Sequence, residues 1–181
     1  MSVLVPGWND SCYTGPEVDI EEALTDAGLI DADGVSSVLA AYRFTNDDTQ
    51  AFDRWFPGRE DIEDTLTTIS PFDQLFLLLD PAGEPMNWVM QVVADSTGQK
   101  DTQVSLIQNW NSVCYAGASK SPDEATASIN GSLKIIYSLA SDQSWRRYVP
   151  NRTELTNIVT LNKYTSVFAL MTNAGTWVFD P

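Results

Sequence analysis

The sequence predicts an α+β fold dominated by antiparallel strands, laid out as two tandem repeats with one capped helix each. Three observations predict it. Trp8-Asn9, Cys12-Tyr13 and Gly15 recur as Trp110-Asn111, Cys114-Tyr115 and Gly117, and an internal repeat decides architecture before any single element does. Strand-like runs bounded by turn residues outnumber helical ones in each copy. Helix-start signatures fall on one another: Asp19 with Glu22 in the first copy, Ser121 with Glu124 in the second, where Pro122 takes the first helical position.

Each copy opens with a strand, residues 3–13 in the first, closed by Thr14-Gly15-Pro16. The helix follows, with Ile20, Ala23, Leu24 and Ala27 on one face before Gly28, and Ala125 and Ile129 before Asn130-Gly131. Runs 35–45 and 133–140 then turn at Asn46-Asp47-Asp48 and Ser141-Asp142 into returning strands 51–56 and 144–149, a hairpin in each copy. Phe52, Arg54, Pro57 and Arg59 answer Trp145, Arg147, Pro150 and Arg152. Ile62, Leu66 and Ile69 fall at helical spacing, partly repeated by Leu155, Ile158 and Leu161, and predict a short second helix or helical turn. Strands 74–79 and 88–93, then 166–171 and 176–179, close the copies around Asp80-Pro81-Ala82-Gly83 and Thr172-Asn173-Ala174-Gly175.

The repeat divides the chain into residues 1–95 and 96–181, and only residues 95–101 read as unstructured. A half of about 80 to 95 residues buries roughly 60 to 65% of its unfolded surface. The halves are therefore expected to share a core, as lobes about a pseudo-twofold axis or as one shared barrel, with pairing across the axis protecting edge strands.

The net charge is −15, but it is not spread evenly. Residues 1–95 hold nineteen Asp or Glu against three Arg, or −16, whereas residues 96–181 hold six acids against seven bases, or +1. The acidic half repels nucleic acid and anionic membrane and attracts a basic partner or divalent cations. No apolar run approaches the ~20 residues that span a bilayer. Met1 is followed by Val3-Leu4-Val5 without a basic region and apolar stretch, so no signal peptide is visible and a cytoplasmic location stays open. Cys12 and Cys114 can bridge only if the copies place their strands side by side; two free, buried cysteines are the favoured reading.

The chain has no histidine, which removes the commonest general base and transition-metal ligand. Two cysteines cannot complete a thiolate zinc site, and no phosphate-binding glycine loop occurs. No catalytic residues are proposed and no cofactor is expected. Asp31-Ala32-Asp33-Gly34 resembles part of a calcium loop, but the glycine register places Leu29 at the first ligand position. Calcium held by Asp31 and Asp33 would be weak and confined to the first repeat. Arg54 and Arg147 occur in both copies and are read as holding carboxylates or backbone carbonyls. Trp8, Trp88, Trp110 and Trp177 are likewise read as core. A binding aromatic is sought among unmatched or exposed positions, Phe44 and Trp55, with Asp47 and Asp48 beside them in the acidic half.

The set Trp8, Cys12, Tyr13, Arg54, Pro57 and its second copy Trp110, Cys114, Tyr115, Arg147, Pro150, with a capped helix and a closing aromatic strand, resembles tandem modules of secreted and cell-surface proteins of Chloroflexi-like bacteria. The resemblance covers both copies. It implies a surface-associated, non-catalytic module, usually an appendage of a larger extracellular protein, with no activity assigned. The chain departs from it in placing cysteine at the small position and in the acidity of the first copy. The first functional reading is a binding or structural module of a cell surface, virion or filament that recognises a protein partner or packs into an assembly through its extended pseudo-symmetric surface. The second is a small ligand-enclosing β-barrel, including a histidine-free enzyme using Tyr, Arg and carboxylates. The third is a carbohydrate-binding module, which requires exposed aromatics and takes a glycan.

Overall fold

Pro6 has no backbone N–H to give to a ladder, and Gly7 adopts φ 94°. The single strand expected over residues 3–13 therefore breaks into β1 (Ser2–Leu4) and β2 (Gly7–Cys12). Asn9 locks the break: its Oδ1 accepts from Val5 N at 2.8 Å and its Nδ2 donates to Val5 O and Gly7 O. Asn111 makes the same three bonds to Ile107 and Asn109 in the second half, where Asn109 takes the positive φ, 78°. The Asn of each Trp-Asn pair is thus a backbone clamp. Asn111 is fully buried, and three bonds at about 1 kcal/mol each set its worth. Asn111→Ala is expected to cost about 2–3 kcal/mol in urea unfolding; a loss below about 1 kcal/mol would show the clamp to be dispensable.

The structure, a computed structural model, describes residues 2–88, 90 and 102–179. After β2 come β3 (Val18–Asp19), α1 (Ile20–Asp26), β4 (Val38–Phe44), β5 (Phe52–Trp55), β6 (Thr68–Ile69), β7 (Gln74–Leu79) and β8 (Met86–Trp88). The second half follows with β9 (Gln103–Leu106), β10 (Asn109–Tyr115), α2 (Pro122–Ala125), β11 (Leu133–Leu139), β12 (Trp145–Tyr148), a 3-10 turn (Thr153–Leu155), β13 (Thr165–Met171) and β14 (Gly175–Val178). Strand accounts for 42% and helix for 8%, so the β-dominated expectation holds. The last part of the strand expected over 88–93, and the stretch 95–101, lie outside the described residues.

Two four-stranded antiparallel sheets carry the fold, ordered β2-β7-β4-β5 and β10-β13-β11-β12. Cys12 pairs with Gln74 and Cys114 with Ser166; Tyr42 pairs with Arg54 and Tyr137 with Arg147. Two-stranded ribbons β1-β8, β9-β14 and β3-β6 flank them. Among the described residues the strands close no barrel, and no helix is long and apolar enough to cross a membrane.

Strand alternation gives each sheet two different faces. One face packs its own core: Tyr13, Ile20, Leu24, Leu75, Leu77, Trp55 and Trp88 in the first half, Tyr115, Ile129, Ile136, Tyr148, Val167 and Trp177 in the second. Two clusters replace the single shared core expected from chain length. Asp19 caps α1 through Glu21 N at 2.8 Å, whereas α2 closes a full capping box between Ser121 and Glu124. Tyr13 donates to Pro16 O and Tyr115 to Ala118 O, both at 2.8 Å. Each ring lies against Gly15 or Gly117, where any Cβ would strike it. That contact explains the Tyr-x-Gly spacing.

Of the short helix or helical turn expected here, only turns form: Ile62 N donates to Arg59 O at 3.0 Å, and Thr153–Leu155 is a 3-10 turn, while Leu66 and Ile69 lie beyond any helix. Instead Thr65 N and Leu66 N both donate to Arg54 O at 2.9 Å, and Asp64 Oδ1 accepts from Phe56 N. These bonds strap the segment along β5 and divert its amides from helical partners. Asn157 N and Ile158 N do the same to Arg147 O. Arg54 Nε reaches Glu63 O and Arg147 Nε reaches Leu155 O, the carbonyl-holding role read from the repeat.

Candidate functional site

The opposite faces of the two sheets meet. Alternation puts Trp8, Asp10 and Cys12 of β2 on this face, and Trp110, Ser112 and Cys114 of β10 on its counterpart. Cys12 and Cys114 form a disulfide across the layer, with Cα atoms 5.2 Å apart. The favoured reading of free cysteines is corrected, because the packing brings the two strands together. Next to the bridge, Gln74 Nε2 donates to Asp10 Oδ1 and Ser112 Oγ donates to Gln74 Oε1, a polar chain from one sheet to the other.

Side-chain amides cover the outer edges of β2 and β10. Gln143 accepts from Trp8 N and donates to Trp8 O, both at 2.9 Å. Gln50 does the same for Trp110, both at 3.0 Å. Asn46 then pairs N–H and C=O of Ser112 at 2.7 Å. The shorter second hairpin carries Ser141 in the place of Asn46, and no such pairing is made to Asp10 among the described residues.

This difference leaves one side of the layer open. A groove of about 560 Å³ is lined by Trp8, Tyr42, Phe52, Phe76, Leu139, Gln143, Trp145 and Phe168. Trp8 lies 5.9 Å from Tyr42, Phe76 stacks on Phe168 at 5.3 Å, and Trp145 lies 6.2 Å from Phe76. Trp8 is 39% exposed, Phe52 and Trp145 49%. On the other side Trp110 meets Tyr137 at 6.1 Å in nearly the same pose, but Phe44 fills the space with contacts to Phe52 and Phe168. Phe44 pairs with Phe52 where Leu139 pairs with Trp145. The smaller Leu139 holds the groove open.

At Trp8 and Leu139 the groove runs into a polar slot of about 510 Å³ that contains Asp10, Ser138, Ser141, Asn162 and Ser166. Burial pushes the Asp10 carboxyl up to about 7, against the opposing pull of Gln74, Ser166 and the Leu139 backbone. Asp10 Oδ2 and Ser166 Oγ are the two buried side-chain polar atoms, among the described residues, left without a hydrogen-bond partner. Most native polar atoms buried to this extent are paired.

The residues singled out in the sequence do not assemble into this site. Trp55 is buried in the first core with Nε1 3.3 Å from Glu21 Oε1, and Phe44 is buried between the sheets, so neither is the exposed aromatic expected. Asp47 Oδ1 accepts from Thr49 N and Thr45 Oγ1; the Thr49 hydroxyl bond, first among several, holds its carboxyl below the ordinary value. Asp48 is exposed in the same turn. Asp31 Oδ1 accepts from Asp33 N and Val35 N, a surface turn, and among the described residues no three Cys, Asp or Glu side chains gather as metal ligands. The four repeated tryptophans divide: Trp88 and Trp177 are core, at 1% and 0% exposure, whereas Trp8 stands in the groove. Comparison with protein-family models, with curated proteins and with solved structures returns no match.

Proposed function

We propose that the chain is a non-catalytic binding module of an extracellular or surface assembly, built from a duplicated unit whose halves pack about a pseudo-twofold axis. The aromatic groove takes the apolar side chain of a protein partner. The observation that carries this reading is the exposure of Trp8, Phe52 and Trp145 around one opening. Exposed aromatic clusters on otherwise ordered proteins mark interaction sites, and Trp and Tyr dominate the energetics of such sites. The duplication is supported by the shared strand order, the Asn9 and Asn111 clamps and the two glutamine pairings. The disulfide supports a compartment that keeps thiols oxidised. The net charge of −15 favours a basic partner.

Trp8 and Trp145 as stacking platforms favour a second reading, glycan binding. Sugar hydroxyls need polar partners, and within the groove itself the amide of Gln143 is already engaged by Trp8, which leaves those of the adjoining slot. Both readings meet one experiment. ¹⁵N-labelled protein is titrated with N-acetyl-tryptophanamide and, separately, with maltohexaose, following the indole N–H signals of Trp8 and Trp145. Shifts with the amide alone are expected; shifts with the oligosaccharide alone would replace the protein-partner reading by the glycan one, and silence from both would end both. Leu139→Phe copies the closed side and is expected to weaken the amide about tenfold, or ~1.4 kcal/mol, without lowering the melting temperature.

A further inference from the structure

The slot differs from the groove in chemistry while sharing two of its residues, Trp8 and Leu139. Its polar lining is hydroxyls and amides with one carboxylate, Asp10, among the described residues. Ser166, 3% exposed, faces the slot with an unpartnered Oγ, and Asp10 Oδ2 is unpartnered beside it. The elements around Asp10 present Gln74 from β7, Ser112 from β10, Leu139 N–H from β11 and Ser166 from β13. None of these ionises. The Lys163 ammonium lies 5.3 Å over the ring of Tyr164, which also lines the slot.

We propose that the slot is a cation subsite: a lysine ammonium next to the partner's apolar anchor enters it and pairs with Asp10, while the anchor fills the groove. The proposal rests on the groove reading above and adds the chemistry of the neighbouring residue. A lone carboxylate in a low-dielectric setting attracts a monocation strongly. The hydroxyls of Ser138, Ser141 and Ser166 and the amide of Asn162 can accept the ammonium's remaining hydrogens. One carboxylate is too few to strip water from a divalent ion, so an organic ammonium suits it better. The half that supplies Asp10 also holds the acid excess that steers a basic segment toward this end. Ser112 stands in the second half where Asp10 stands in the first, so among the described residues the subsite is not repeated.

The ammonium exchanges for a proton. Below neutral pH Asp10 carries the proton itself, and binding must release it; above neutral pH no release is needed. The test compares N-acetyl-Trp-Lys-amide with its Gln and Glu homologues at pH 8. The Lys peptide is expected to bind at least tenfold more tightly than the Gln peptide, and the Glu peptide more weakly than either. Asp10→Asn should abolish the preference for Lys and leave the affinity for the Gln peptide within twofold. Asp10→Ser, which installs the residue of the second copy, is the variant to use if Asp10→Asn disturbs folding. Calorimetry at pH 6 in two buffers should detect close to one proton released per Lys peptide in the wild type and none in Asp10→Asn. Equal affinity for Lys and Gln peptides, or a preference that survives both substitutions, overturns the subsite while leaving the groove standing. If no peptide binds, the groove reading falls; the ¹³C shift of the Asp10 carboxyl in methylammonium chloride then decides the slot alone. A midpoint lowered by methylammonium upholds the subsite, and one unmoved relative to sodium chloride overturns it.

Discussion

Replacing Cys12 and Cys114 with alanine is expected to lower stability by about 4–5 kcal/mol. The bridge joins residues 102 apart, and closing a loop of about that length removes roughly 4.7 kcal/mol of unfolded-state entropy on the chain-entropy account. Each core is built from its own half, with Phe72 of the first half packed against the second core, so the cores supply little of the contact between halves. That contact rests on the interlayer: the disulfide, the Asp10–Gln74–Ser112 chain and the rings of Phe44, Phe76 and Phe168. Removing the bridge leaves the smaller attachments, of which each glutamine pairing contributes about 1 kcal/mol. The melting temperature should fall by about 10–20 °C for a chain of this size, and wild-type protein in reductant should melt with the variant. If oxidised protein, reduced protein and variant all melt within about 3 °C, the bridge contributes little and the entropy argument fails for this fold.

Most of the strands and both caps were legible in the sequence, because capping residues, turn residues and alternation are local. The signature was legible as structure for the same reason: Asn9 reaches four residues back and Tyr13 three residues on. A helix reaching Leu66 and Ile69 was misread since both are buried, which satisfies a helical spacing, although a strap held to Arg54 O buries them equally well. The groove was not legible. Its rings come from β2, β4, β5, β7, β12 and β13, and only the crossing of two sheets gathers them. Parity offered a partial signal, since Phe52 and Trp145 fall on the strand face opposite Trp55 and Tyr148. Asp10 carried a signal too: it sits between Trp8 and Cys12 at period two, and the second copy has Ser112 there. An acid present in only one of two halves that share a strand order, on an inward face, is a departure from what the fold itself needs.

That departure has a measurable cost. The Asp10 carboxyl is raised from 3.8 to about 7, chiefly because burial disfavours the charged form. A raised folded-state pKa means that the folded chain binds more protons than the unfolded chain between pH ~4 and ~7. Stability from this group is fully present below pH ~4, falls as pH rises, and is gone above pH ~7; a shift of about three units corresponds to roughly 4 kcal/mol. Asp10→Asn keeps the shape of the neutral acid and can still accept from Gln74. The variant is therefore expected to match the wild type near pH 4 and to exceed it by about 3–4 kcal/mol at pH 8, in urea unfolding across that range. Exposed carboxylates whose values are lowered, such as Asp61 held at about 2 by Arg59, act in the opposite direction and lie far below this window. They cancel in the difference between the two proteins. A difference that stays flat from pH 5 to 8 would show that Asp10 ionises without strain and would remove the reason to expect a cation beside it. A charge that destabilises the free protein at pH 8, and that asparagine relieves, is what a subsite awaiting a lysine requires: stability forgone in the unbound chain and recovered when the ammonium arrives.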